Sequence, residues 1–329
     1  MDTLELLEKL TSPAGVAGEE TSSFESLKGL FSLYGKVSTD ASGNIIVERN
    51  GIGKHILLDA HIDTIGFVIT EIMDGFVRLS KVGGVDMRTV EGMEITLHGT
   101  EDIYGVICTV PPHLSDGENR VSTDGTCVAD IGLSKEDAVK IIAIGDKVSF
   151  KKSFEKLDKN RVSATYLDDR AGIAVLLKAL DDVNTDKRIT LVCSAQEETG
   201  GTGATCAGYN IDADLAVIVD VSFATTPDAD PKECGKLNGG AMIGYSPILN
   251  RQYSEMLVNI AKENDRPYQK EIMSGRTGTN ADHITISKGG IPSVTVSIPQ
   301  RYMHTPIEVV DVRDIENCAN LIARFIERV

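Results

Sequence analysis

Three apolar runs that each end in an acidic residue or a histidine constrain the fold of this chain more than any other feature. They cover residues 57–61, 190–197 and 215–220 and read Leu-Leu-Asp-Ala-His, Thr-Leu-Val-Cys-Ser-Ala-Gln-Glu and Leu-Ala-Val-Ile-Val-Asp. Runs of this length and composition predict buried β-strands. Because open α/β sheets carry their sites at the carboxyl ends of strands, we expect these polar ends to meet at one edge of a sheet.

Two short motifs carry the polar ends of the first two strands. His61 and Asp63 are two residues apart, and side chains at that spacing on a strand share one face, so Asp63 can hydrogen-bond the ring nitrogen that a metal ion does not use. Glu197 and Glu198 are neighbours, and both reach one site only where the strand ends. Three glycines within residues 200–203 follow them and predict that break.

The polar residues of these segments predict a hydrolytic site with two metal ions. Such a site needs about five imidazole or carboxylate ligands and a bridging water. The candidates are His61, Asp63, Asp168, Glu197, Glu198, Asp220 and His304. No cysteine belongs to this set, so the ligand atoms are nitrogen and oxygen, which suits zinc, cobalt or manganese. We expect two divalent metal ions per subunit, with zinc as the first choice.

Five short motifs follow one another along the chain: His-Ile-Asp-Thr-Ile-Gly-Phe at 61–67, Leu-Asp-Asp-Arg-Ala-Gly at 167–172, Gln-Glu-Glu-Thr-Gly at 196–200, Val-Asp-Val at 219–221 and Arg-Tyr-Met-His-Thr-Pro at 301–306. In this combination they resemble the M42 family of metallo-aminopeptidases. Runs at 82–85, 111–114 and 278–282 extend the resemblance over nearly the whole chain.

The resemblance implies a role for each polar residue. It assigns His61 and Asp220 to one metal ion, Glu198 and His304 to the other, Asp168 to both, and the catalytic roles to Glu197 and Asp63. Glu197 is then the general base, which agrees with the chemistry, because an unligated carboxylate is a better base than a metal-bound one. A cis peptide bond between residues 168 and 169 is also implied. The implied reaction is removal of N-terminal residues from short peptides.

The composition limits which partners the protein is expected to bind and where in the cell it is expected to be. The chain of 329 residues has 49 acidic and 33 basic side chains and a net charge of −16, which argues against nucleic acid and anionic membranes. It has no basic leader before an apolar run and no apolar stretch of about 18 residues, so we expect no membrane insertion. The six cysteines form no Cys-x-x-Cys pair, which predicts free thiols and a cytoplasmic protein.

The pattern along the chain predicts one α/β domain with an insertion. Helices are expected at 3–9 and 20–34, and strands at 44–47 and 55–67. Short β-type runs separated by turns fill residues 68–158, a segment without proposed ligands. We therefore predict a catalytic domain of residues 1–67 and 159–329, with a mixed sheet flanked by helices, and an inserted β-rich domain at 68–158. The resemblance assigns the insertion to dimerisation.

Two later helices complete the prediction. Residues 171–180 are apolar almost all round, which is typical of a buried helix. The last helix is expected to begin after Asp311 as its N-cap. Its apolar stripe consists of Ile315, Cys318, Ala319, Ile322, Phe325 and Ile326.

Three features outside the proposed ligand set concern the substrate pocket. We assign His113 to packing or interface structure, with stabilisation of an oxyanion as the alternative. Asn280 stands where the family often has Asp, and residues 238–241 depart from a common Gly-Lys-Gly-Pro pattern. These departures leave the preferred N-terminal residue of the substrate open.

Two other functions compete with the aminopeptidase. Some relatives carry the label endoglucanase, but glycosidases use two carboxyl groups and generally no metal, whereas the carboxylates here have metal roles. A non-catalytic scaffold has no support, since all proposed ligands and the base are present. Family members assemble as homo-oligomers from dimers to dodecamers, so we expect self-assembly and short peptide substrates.

Overall fold

Two β-sheets organise the chain. The structure is a computed structural model that describes residues 1–114 and 125–329. Within those ranges eleven strands form one large sheet and six form a closed barrel. Helices pack on both faces of the large sheet. The predicted fold class, α/β with a mixed sheet flanked by helices, is therefore confirmed.

The large sheet is parallel at its centre and antiparallel towards its edges. Its strands are β1 (Lys36–Thr39), β2 (Ile45–Arg49), β3 (His55–His61), β10 (Phe154–Lys156), β11 (Arg161–Ala164), β12 (Arg188–Ser194), β13 (Leu215–Phe223), β14 (Ala241–Tyr245), β15 (Tyr268–Ile272), β16 (Ser293–Arg301) and β17 (Glu308–Asp311). The order is β1-β2-β12-β3-β13-β16-β17-β11-β10, and β14 joins β15 to β16. Strand β3 pairs in parallel with β12 and β13, and β13 pairs in parallel with β16. Their carboxyl ends therefore share one edge.

Helices enclose this sheet. They are α1 (Thr3–Leu10), α2 (Thr21–Phe31), α4 (Leu167–Asp182), α5 (Thr202–Asn210), α6 (Arg251–Glu263), α7 (Ala281–Ile284) and α8 (Val312–Arg328). On β3, Ile56 and Leu58 belong to the core that includes α1, α4 and α8, whereas Leu57 packs with α5 and α7 on the opposite face. Both faces are thus buried, which is why the central strands are apolar without alternation.

The barrel has its own apolar core. Its strands are β4 (Gly66–Ile72), β5 (Phe76–Val82), β6 (Glu94–His98), β7 (Asp102–Ile107), β8 (Thr126–Asp130) and β9 (Lys147–Phe150), with the short helix α3 (Lys135–Ala138) between β8 and β9. Strand β4 pairs with β9 and closes the barrel. Inside, the rings of Phe67 and Phe150 meet edge to face with centroids 5.4 Å apart. This core is separate from the core of the large sheet.

Three strand ends differ from the sequence predictions. The strand predicted at 55–67 is two strands, because β3 ends at His61 and β4 begins at Gly66 in the barrel. Strand β12 ends at Ser194, before Glu197. Strand β13 continues beyond Asp220 to Phe223, since β16 pairs with it along that whole length. Asp220 therefore lies inside a strand.

The division into domains stays a prediction. The barrel strands run from Gly66 to Phe150, while β10, which falls within the predicted insertion at 68–158, pairs with β11 in the large sheet.

The predicted N-cap is confirmed, because the Asp311 carboxylate accepts a hydrogen bond from the Arg313 amide, and the predicted stripe of α8 is buried. The helix predicted at 20–34 ends at Phe31. All six cysteines are free. Among the described residues no helix is long and apolar enough to span a membrane.

One buried arginine connects the amino-terminal helices to the carboxyl edge of the large sheet. Arg170 has no exposed surface. Its guanidinium donates to the carbonyl oxygens of Ile62 at 2.8 Å and Leu10 at 2.7 Å and to Ser23 Oγ at 3.0 Å. Burial lowers the Arg170 pKa to about 10, so the group stays charged at neutral pH. The side chain thus ties α4 to α1, α2 and the break after β3.

We expect Arg170→Met to destabilise the fold by about 3–5 kcal/mol, because the buried carbonyl oxygens lose their charged donor. Urea unfolding followed by circular dichroism measures the change. Arg324→Met is the matched control: Arg324 pairs with Glu327 on the exposed face of α8, and its loss should change the free energy of unfolding by less than about 0.5 kcal/mol. Equal midpoints for the two variants would contradict the structural role of Arg170.

Candidate metal centre

A cavity of about 840 Å³ lies at the carboxyl edge of the large sheet. Its wall includes every proposed metal ligand and the proposed base: His61, Asp168, Glu197, Glu198, Asp220 and His304. The structure thus brings together residues that are up to 243 positions apart, from His61 to His304. Asp63 lies behind this wall and is fully buried.

The chain reaches this edge through strand ends and turns. His61 is the last residue of β3, and the next amide, of Ile62, donates to the Ser194 carbonyl oxygen at the end of β12. Asp168 lies at the start of α4, and its peptide bond to Asp169 is cis, as the family resemblance implied. His304 lies between β16 and β17 with a φ of 63°. These connections point side chains from separate elements into one space.

Asp168 stands between the two histidines. Its Oδ1 atom is 3.1 Å from His61 Nε2, and its Oδ2 atom is 3.6 Å from His304 Nε2. His304 Nε2 is also 3.7 Å from Glu198 Oε2. One carboxylate therefore has an oxygen directed at each imidazole, which is the arrangement expected of a ligand shared by two metal ions.

Asp63 contacts this centre through its backbone as well as through its side chain. The ring nitrogen Nδ1 of His61 is 3.0 Å from the Asp63 carbonyl oxygen and 3.5 Å from its side-chain oxygen, so the backbone is the closer acceptor. Because a carbonyl oxygen only accepts, Nδ1 donates to it, which leaves Nε2 as the nitrogen that faces Asp168. The Asp63 carboxylate also accepts the amides of Glu197 and Glu198 at 3.0 and 3.1 Å. It therefore fixes the turn that carries the glutamate pair.

Glu308 is a buried residue that sequence reasoning missed. Its two carboxylate oxygens accept hydrogen bonds from the backbone amides of Asp168 at 3.0 Å and His304 at 3.2 Å. Glu308 is 2% exposed. It thus connects the backbone of two proposed ligands without lining the cavity. Its position four residues after His304 was the only signal in the sequence.

Asp169 was also missed. One ligand atom each of His61, Asp169 and Asp220 lie within 4.8 Å of one another, and so do those of His61, Asp168 and Glu198. The Oδ1 atom of Asp169 accepts the Gly172 amide, while its buried Oδ2 atom has no hydrogen-bond partner in the described residues. Its position next to Asp168 was the available signal in the sequence.

The donor set fits divalent cations. Burial and the charge of Asp168 raise the pKa of Glu198 well above its usual value, and burial raises that of Asp220 in the same way. Burial, with the charges of Asp168 and Asp63, also raises the Glu197 pKa to about 6, although His61 opposes this. Carboxylates this close repel one another unless protons or cations compensate. Nitrogen and carboxylate oxygen are the ligands that zinc, cobalt and manganese accept.

The cavity lining also includes a residue from the barrel segment. Gly84 follows β5 and lines the cavity. A Cβ atom at this position would collide with the His304 ring, so only glycine permits the close approach. The Gly84 amide is also 3.5 Å from Glu198 Oε2. The predicted insertion holds no proposed ligand, yet its Gly84 lies against two of them.

Two residues left open by the sequence have definite positions. Asn280 is 2% exposed and lies outside the cavity lining, where its amide donates to Asp59 Oδ1 at 2.8 Å and Ser194 Oγ at 2.7 Å. It therefore joins β3 to β12 beneath the site. His113 is exposed on the 3₁₀ turn Pro112–Leu114 and is not among the described residues that line the cavity.

Comparison with known proteins identifies the class. The chain belongs to the M42 glutamyl aminopeptidase family, which it matches over residues 43–321. A putative aminopeptidase of Acetivibrio thermocellus is 35% identical over 99% of this chain and 98% of its own. Aminopeptidase APDkam598 of the archaeon Desulfurococcus kamchatkensis has a TM-score of 0.93 at 34% identity, covering 99% of this chain and 95% of its own. The Pyrococcus horikoshii TET1 peptidase has a TM-score of 0.85 at 30% identity, covering 98% of both.

The family membership has two direct consequences. The chain is a peptidase, so the predicted enzyme class and family are confirmed. M42 peptidases depend on metal, and the described residues include two groups able to hold a metal ion.

We expect Glu308→Gln to lower metal affinity or turnover about 10- to 100-fold, because an amide has one acceptor oxygen and turns its NH₂ group towards the second backbone amide. Metal content after dialysis and the rate at saturating metal separate the two effects.

Asp314→Asn is the matched control for Glu308→Gln. The Asp314 carboxylate also accepts two backbone amides, from Asn238 and Gly240, but away from the proposed ligands. Both variants should lose some thermal stability, and only Glu308→Gln should change metal binding. Unchanged metal content and turnover in Glu308→Gln would exclude its positioning role.

Proposed function

We propose that this chain is an aminopeptidase that uses two divalent metal ions to remove N-terminal residues from short peptides. The observation that carries the proposal is the arrangement of Asp168, whose two oxygens face the imidazoles of His61 and His304. Glu197 lines the same cavity but belongs to neither group of clustered ligand atoms. This leaves one carboxylate free for proton transfer.

The proposed ligand roles are those that the family resemblance implies, and the contacts of Asp168 with the two histidines support them. His61 and Asp220 would hold one ion, Glu198 and His304 would hold the other, and Asp168 would serve both. Asp169 stands beside His61 and Asp220, and its buried Oδ2 atom has no hydrogen-bond partner in the described residues. When bound, divalent ions activate water and polarise a carbonyl group. Zinc is our first choice, with cobalt or manganese as alternatives.

Glu197 is the proposed general base. Its amide is held by the Asp63 carboxylate, and so is the amide of Glu198, so one buried group sets the relation between base and ligand. In the proposed reaction Glu197 takes a proton from the attacking water and delivers it to the amine that leaves. Asp63 acts by orienting this turn and through its carbonyl bond to His61.

We also propose that the chain forms homo-oligomers through the barrel segment. The Pyrococcus horikoshii TET1 peptidase, which is similar over 98% of this chain, can assemble into a tetrahedron or a large octahedral shell. Several large apolar side chains are exposed along the described part of this segment: Phe76, Tyr104, Val110, Leu114, Val139 and Ile144. Burial of such side chains favours association. The six free thiols agree with the proposed cytoplasmic location.

The first test is release of free amino acids from aminoacyl chromogenic substrates and short peptides. We expect release that a chelator abolishes and that zinc, cobalt or manganese restores, because the ligand cluster requires cations to activate water. Peptides blocked at the N-terminus should remain intact. Hydrolysis of a β-glucan that persists in the chelator would overturn the proposal in favour of a glycosidase.

The glutamate pair provides a second test. We expect Glu197→Gln to lower kcat about 10²- to 10⁴-fold while metal content stays near that of the wild type, because the amide cannot accept the proton. Glu198→Gln is the matched neighbour, and it should reduce bound metal instead. Metal loss in Glu197→Gln with retention in Glu198→Gln would mean that the two roles are reversed.

A further inference from the structure

The cavity contains a second polar region beyond the proposed metal ligands. Glu271 on β15 lies in the cavity wall and is only partly exposed. Its Oε1 atom accepts a hydrogen bond from Ser222 Oγ on β13, and its Oε2 atom accepts one from Ser297 Oγ on β16 at 2.7 Å. No ion pair within the described ranges involves Glu271. A carboxylate is thus held in place by two hydroxyl groups and has no cation beside it.

The sheet is shaped to give Glu271 this position. Strand β14 separates β15 from β16, and its Gly244 is the register partner of Glu271. Because Gly244 has no side chain, the Glu271 carboxylate can extend over β14 to the two serines. A Cβ atom at Gly244 would also collide with Thr295 Oγ1. The glycine therefore keeps this region open.

Thr295 supplies an independent observation. Its side chain is 1% exposed, lines the same cavity, and its hydroxyl has no hydrogen-bond partner in the described part of the chain. Buried hydroxyls without a partner are uncommon, because leaving one unpaired costs about 1–3 kcal/mol. A ligand with several hydrogen-bond donors would satisfy both this hydroxyl and the Glu271 carboxylate.

The polar region around Glu271 lies close to the proposed metal ligand Asp220. Asp220 and Ser222 are two residues apart on β13, so they share one face and are separated by roughly 7 Å along the strand. Ser297 is the cross-strand partner of Asp220. When the scissile bond of a peptide lies at the ligands, the side chain of its first residue can therefore reach this region.

We propose that Glu271, with Ser222, Ser297 and Thr295, binds the side chain of the substrate's N-terminal residue and selects lysine or arginine. This inference rests on the proposed aminopeptidase function. An ammonium or guanidinium group carries three to five donors for the carboxylate and the hydroxyls. An N-terminal glutamate would bring a second carboxylate against Glu271 and is repelled.

The nearby cations do not neutralise Glu271. Lys270 precedes it on β15, where neighbouring side chains alternate between faces, and its Nζ atom lies 4.9 Å from the centre of the Tyr245 ring. Lys232 and Arg276 also line the cavity, and each belongs to a loop outside the strands. Because these two side chains are positively charged, they could attract an acidic N-terminal residue. A preference for such a residue is therefore the alternative outcome of the test.

The test compares lysyl and norleucyl p-nitroanilides, which differ only in the terminal ammonium group, together with arginyl, leucyl and glutamyl substrates. The wild-type enzyme, loaded with the metal that gives the highest rate, should have kcat/KM at least about tenfold higher for lysine than for norleucine. Glu271→Gln should lower kcat/KM for lysine roughly 10- to 100-fold and leave norleucine within about twofold. Glu233→Gln, which removes an exposed charge nearby, should preserve the preference for lysine.

The outcomes separate this inference from the function it rests on. Release of no residue from any substrate overturns both. Efficient release with no preference for lysine over norleucine, or with preference for glutamate, overturns only the role of Glu271. Equal losses on all substrates in Glu271→Gln also overturn it, because they indicate a general structural defect. If Glu271→Gln does not fold, the ratio of kcat/KM for lysine to that for norleucine in the wild type still tests the proposed preference for a basic residue.

Discussion

The position of the Asp168 carboxylate between His61 and His304 is the constraint on which the rest of the structure depends. Asp168 lies in the first turn of α4, His61 ends β3, and His304 lies between β16 and β17. These elements meet only because β3, β13 and β16 run in parallel and finish at one edge. Glu308 then fixes the backbone of Asp168 and His304 through a single carboxylate. The parallel direction of these strands thus places side chains from distant parts of the chain at one edge of the sheet.

The sequence predicted those parts of the fold that depend on local pattern. Apolar runs gave the central strands, the cap at Asp311 gave the start of α8, and the acidic or histidine ends of the runs gave most of the candidate site. Strand ends were less accurate, because pairing with a neighbour decides them. Asp220 lies inside β13 since β16 continues beside it, and residues 62–65 leave the sheet to begin the barrel.

The residues that sequence reasoning missed act through tertiary contacts. Glu308 has no unusual neighbours in the sequence, and its importance lies in two backbone amides, one of them 140 positions away. Asp63 was predicted to contact His61 through its side chain, and that carboxylate also accepts the amides of the glutamate turn, which the sequence did not indicate. Glu271 faces serines of two other strands across Gly244. The pattern of polar and apolar residues along the chain does not indicate such contacts, because they depend on which strands lie side by side in the folded sheet.

The two ends of the cavity treat negative charge in opposite ways. Around Asp168, several carboxylates lie within a few ångströms, and mutual repulsion makes divalent ions the natural compensation. At Glu271 burial raises the pKa of a single carboxylate, and hydrogen bonds from two hydroxyls oppose that rise without neutralising the charge. A region of that kind suits a monovalent organic cation better than a metal ion, because it has one anionic group and neutral acceptors around it. The same acidic composition can therefore serve catalysis at one end and selection of the substrate side chain at the other.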